Sequence, residues 1–213
     1  MKNFTFLLLL IFPVLCFAQK SKISYLNFDG KEISYYEFQK YHNKGVLVGQ
    51  NDDGTVYRLI KNREKSGKIK DYTELVIYLN NNLKTQLDFK KPLFIYYYPG
   101  PDVTNISRNP DLNGLQIFKD ETNVFENKLQ KTINGQTLFV FKKESTNVYE
   151  GNKFIDWKKD PNHEIEKRFF SEFHHQFASF VIIFPNGDYN AYFGEFSYNQ
   201  VFDYVKNWKK MNK

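Results

Sequence analysis

A chain of 213 residues with a formal net charge of +6 is long enough to bury a sizeable core without disulfide or metal staples. Its 22 phenylalanines, 15 tyrosines and single cysteine exclude the disordered, collagen-like and disulfide-rich classes. Lysine pairs such as Lys90/Lys91, Lys142/Lys143 and Lys158/Lys159 are dispersed rather than gathered into one block, so no nucleic-acid partner is expected.

Residues 1–18 combine Lys2, an apolar run from Phe4 to Leu15 and the small residues Cys16 and Ala18, the pattern of a secretory signal cut before Gln19. The run is shorter than the ~20 apolar residues that span a bilayer, and the large Leu15 before Cys16 argues against lipidation. Export to a periplasm or beyond the cell is therefore expected, with no stable membrane anchor after cleavage. Cleavage would remove Cys16, the sole cysteine, so the mature chain is expected to have no thiol and no thiol redox activity.

Residues 19–83 read as a small α/β extension. Ile23 to Phe28 is strand-like, and Ser34 with Glu37 three residues on is a capping box for a short helix to about Tyr41. Val46–Val48 and Thr55–Ile60 flank Asn51-Asp52-Asp53-Gly54, a hairpin turn that lacks the remaining ligands of a calcium loop. Asp71 is placed to cap a helix bearing Leu75, Val76, Leu79 and Leu83 on one side.

Beyond Lys90-Lys91-Pro92 the pattern becomes a regular alternation. Leu93 to Tyr98 is an apolar run without a polar break, as in a strand covered on both faces. A helix over 117–129, a strand over 138–141, a helix opened by Asp160-Pro161 and running to about Phe173, and a strand over 180–184 follow. Asn186-Gly187 turns the chain into a strand over 189–193, and Ser197 with Gln200 caps a final helix.

This βαβαββα order, with Lys91-Pro92 before the first strand, Pro185-Asn186-Gly187-Asp188 at the hairpin, Gly194 after the fourth strand and Ser197 at the last helix, resembles the thioredoxin-like superfamily. The similarity spans about residues 84–210, is strongest to exported thiol oxidoreductases, and includes a peroxiredoxin-like Tyr97-Tyr98-Pro99. It implies an α/β domain over 84–213 whose sheet is covered by helices on both faces. Where that family carries its redox cysteines this chain reads Pro99 to Ser107, and Ala178-Ser179 stands where the family has a cis-proline, so a trans bond is expected.

Other chemistry finds little foothold. His163, His174 and His175 are spaced eleven or twelve apart rather than three or four, so no metal site is expected. There is no GxSxG elbow and no phosphate-binding glycine loop, and the adjacent carboxylates Asp52/Asp53 and Asp120/Glu121, solvated in a turn or pointed apart on a helix, make no acid/base pair. No cofactor and no catalytic residues are assigned.

Open α/β sheets bind ligands at the carboxyl ends of their parallel strands. A candidate groove is thus formed by Tyr98, Pro99, Asp102, Asn105 and Arg108 facing Gln176, Phe177, Ala178 and Ser179. The expected role is a non-catalytic, exported binding protein for a peptide, protein or small ligand. The alternatives are a cysteine-independent enzyme using Asp102, Arg108 or His175 in the same cleft, and a structural part of an envelope complex.

Overall fold

The computed structural model describes residues 22–51, 53–100, 112–142, 154–170, 173, 175 and 177–211. The architecture is mixed α/β, with strands and helices alternating along two mixed sheets.

Four short strands form the first sheet: β1 (Ser24–Leu26), β2 (Glu32–Ile33), β3 (Leu47–Gln50) and β4 (Val56–Ile60), in the order β2-β1-β4-β3. Its helix α1 (Tyr35–His42) begins as expected, Ser34 Oγ accepting the Glu37 N–H at 3.2 Å. The β3–β4 turn is stapled by Asn51, whose Oδ1 accepts the N–H groups of Thr55 at 3.1 Å and Val56 at 2.9 Å.

The second sheet has six strands: β5 (Glu64–Lys68), β6 (Leu93–Tyr98), β7 (Gln136–Phe141), β8 (Trp157–Lys159), β9 (Ser179–Ile183) and β10 (Asp188–Tyr192). Their order is β5-β10-β9-β6-β7-β8, with β6, β7 and β8 parallel to one another and β9 antiparallel to β6. β5 was not legible in the sequence: Glu-Lys-Ser-Gly-Lys has no apolar alternation and is exposed throughout, as befits a charged edge that resists further pairing. It is hydrogen-bonded to β10 in the register Tyr189 opposite Gly67.

Helices cover both faces. On one, α2 (Tyr72–Leu83) buries Leu75, Val76, Leu79 and Leu83 against Ile95, Tyr97, Val181 and Ile183. On the other, α3 (Leu112–Ile133) and α4 (Tyr198–Met211) pack Phe125, Leu129, Val201 and Val205 against Phe94, Phe180, Ile182 and Phe184. Strand alternation produces this division, because neighbouring residues of β6 and β9 point to opposite faces. α3 exceeds the expected 117–129 at both ends.

Two expectations need correction. The helix expected from Pro161 to Phe173 is instead a 3-10 turn, Pro161–His163, followed by a π-helical turn, Glu166–Phe170. Asn162 and His163 take left-handed φ values of 53° and 57°, which no regular helix accommodates. Buried Asp160 compensates by accepting the Ile165 and Glu166 N–H groups, both at 3.0 Å. Asp71, in turn, makes no side-chain cap on α2 and pairs with Arg168 of the π turn.

Candidate functional site

The carboxyl end of β6 brings aromatic side chains to one face of the sheet. Tyr96 and Tyr98 project together, whereas Tyr97 turns to the opposite core and stacks on Phe170 with centroids 4.7 Å apart. Tyr96 is flanked by Phe118 of α3 at 5.6 Å and by Phe196, in the turn before α4, at 5.4 Å. On the far wall Phe125 stacks on Tyr198 at 4.2 Å.

Between these rings lies a groove of about 940 Å³, at the upper end of the size usual for small-ligand sites. Phe177 and Ala178 line it, as do Val124, Phe125 and Lys128 of α3. Its charged groups are mostly acidic: Asp120 and Glu121 come from α3, Glu195 from the turn before α4. The one lysine in the lining, Lys128, places its ammonium 4.1 Å from the centre of the Phe202 ring. Burial pushes the Tyr96 phenol well above its ordinary range, and Tyr198, Tyr98 and Glu195 add to the shift. Burial likewise pushes Tyr198 up to about 12, against the hydrogen bond it shares with Thr122, with Glu126 and Glu121 raising it further.

The expected groove is only partly the observed one. Tyr98, Phe177 and Ala178 line it. Pro99 is buried at the strand end and does not. Ser179 is buried too, its Oγ accepting the Gly194 N–H at 2.9 Å, so it anchors the turn that carries Glu195 and Phe196. Asp102, Asn105, Arg108 and Gln176 lie outside the described residues. His175, proposed as an enzymatic alternative beside Asp102 and Arg108, lines a different cavity with Tyr25 of β1 and Tyr35 and Phe38 of α1.

Sequence reasoning missed Phe118, Phe196, Tyr198 and the carboxylates around them. A signal was available in α3, which carries more apolar residues than one face can bury. Phe125 and Leu129 enter the core, while Ile117 and Val124 remain 58% and 69% exposed.

The expectation of a mature chain without thiol or thiol redox activity is corrected: the chain contains one cysteine, Cys16, so its composition does not exclude thiol chemistry. Cys16 lies outside the described residues. Among the described residues no group of His, Cys, Asp and Glu side chains is arranged to hold a metal ion, and no helix is long and apolar enough to cross a membrane. His163 instead faces Glu166, its Nδ1 at 3.1 Å from the carboxylate that Lys142 also pairs with. No protein-family model matches the chain, and no curated protein matches it.

Proposed function

We propose that this is an exported, thioredoxin-like binding protein whose ligand lies in the aromatic groove at the carboxyl end of β6. The order β10-β9-β6-β7, with β6 parallel to β7 and antiparallel to β9, supports the thioredoxin-like reading. The absence of a cis peptide bond among the described residues sets it apart from that family's usual third-strand entry. Lys2 and the apolar run from Phe4 to Leu15 support export.

A single observation carries the binding role: a groove of about 940 Å³ stands beside the end of a central parallel strand and is walled by rings from three separate elements. Apolar surface that stays open after folding is costly to hydrate and gains free energy when covered. Uptake of the uncharged dye N-phenyl-1-naphthylamine tests the reading. The folded full chain should bind it with a blue-shifted emission, and Phe118→Ala combined with Val124→Gln should weaken uptake several-fold. A folded protein that leaves the dye emission unchanged overturns the reading.

A further inference from the structure

We infer that the groove accepts an extended peptide with a lysine or arginine flanked two residues away on each side by an apolar residue, so that the three side chains project from one side of the strand. This inference rests on the groove being a binding site and specifies its ligand.

Charge complementarity carries the argument. The protein as a whole has a net charge of +6, yet this groove is rimmed by Asp120, Glu121 and Glu195. Among the described residues none of these three carboxylates is in an ion pair. Lys128, the lysine in the groove's lining, lies over the Phe202 ring. Asp120 accepts a hydrogen bond from Gln116 Nε2 at 2.9 Å, which positions the carboxylate without neutralising it. A cation entering between α3 and the turn before α4 therefore finds carboxylates on both sides and aromatic faces beneath, a combination that attracts ammonium and guanidinium groups.

The exposed face of α3 sets the ligand's form. Ile117, the Asp120/Glu121 pair and Val124 follow one another at helical spacings of three and four, so they lie in one stripe, apolar then acidic then apolar. Successive turns of a helix are separated by about 5.4 Å, and alternate residues of an extended strand by about 6.6 Å, so the two repeats run nearly in step over a few residues. A strand with apolar, cationic and apolar side chains on the same side matches Ile117, Asp120/Glu121 and Val124 in turn. Exposure of Ile117, outside the groove itself, favours a ligand that extends past the pocket over a compact one.

The test uses the full chain and three acetylated, amidated pentapeptides, Phe-Ser-Lys-Ser-Phe, Phe-Ser-Glu-Ser-Phe and Phe-Ser-Gln-Ser-Phe, whose first, third and fifth side chains share one side of the strand, with spermidine as a cation lacking rings and backbone. The lysine peptide should bind about tenfold more tightly than the glutamate peptide at low salt, with the preference shrinking in about 0.5 M salt. Glu121→Gln with Glu195→Gln should remove most of that preference, whereas Asp203→Asn, an exposed carboxylate on α4 away from the groove, should leave it in place. Dye uptake with equal affinity for all three peptides overturns the inference and leaves the groove reading standing. So does a preference lost equally in the Asp203 variant, and spermidine binding as tightly as the lysine peptide overturns the peptide form of the ligand. Failure to take up dye or any peptide overturns the groove reading and the inference with it.

Discussion

Phe184, at the end of β9, and Trp208 of α4 stack face to face, with ring centroids 4.1 Å apart and planes 1° from parallel. The contact fixes the far end of α4 on the sheet, and the near end of the same helix carries Tyr198 and Phe202 into the groove. Replacing Trp208 by alanine removes this anchor. The expected loss is about 2–4 kcal/mol of unfolding free energy, read from urea denaturation followed by far-ultraviolet circular dichroism.

Gly187 sits in the β9–β10 hairpin at φ +86°, and a Cβ added there would lie 2.0 Å from the Ile69 carbonyl oxygen. Its own carbonyl accepts the Ile69 N–H at 2.9 Å, so the turn is clamped to the end of β5. Gly187→Ala should destabilise by about 2–4 kcal/mol, combining left-handed strain with loss of that clamp. Thermal unfolding checks the magnitude, and Asn186→Ala, whose side chain is exposed, serves as the mild comparison.

Lys142 and Glu166 form an ion pair whose side chains are 5% and 8% exposed. Removing one partner strands a buried charge, so Lys142→Met or Glu166→Leu alone should cost about 3–5 kcal/mol, while the double replacement should recover most of the loss. A double-mutant cycle by chemical denaturation measures the coupling.

Tyr198 is held up to about 12 chiefly by burial, so its phenol stays protonated in the folded protein where an unfolded chain would already ionise. The stability it contributes is fully present below the unfolded phenol's pKa, near 10, and is lost as pH rises through about 12. Ultraviolet difference titration should show one late-titrating tyrosine disappear in Tyr198→Phe. In Glu121→Gln the same phenol should ionise at lower pH, because a carboxylate that opposes its ionisation is gone.

Much of the fold was legible from local signals. The runs at Leu93–Tyr98 and Ser179–Ile183 are too apolar to face water on either side, and Ser34 with Glu37 marks the start of α1 within four residues of chain. The π turn at Glu166–Phe170 escaped because its cause is distant. The apolar spacing of Ile165 and Phe169 suits a regular helix, but the left-handed backbone at Asn162 and His163 and the pairing of Glu166 with Lys142 are settled by packing. Asp71 failed as a cap for a similar reason, since Arg168, 97 residues away, draws its carboxylate to 2.8 Å.

What the sequence determined by itself is the set of buried strands, most helix starts and the turn residues, since each depends on side chains within one or two turns of each other. It also pointed to Tyr98, one of the residues that line the groove, through the rule for parallel strand ends. The groove's walls and its charge were decided only in three dimensions. Phe118 and Glu121, Glu195 and Phe196, and Tyr198 and Phe202 come from segments whose approach is set by how α3 and α4 dock on one sheet face. A cavity exists where docked elements leave space between them, and no local pattern of residues encodes that distance.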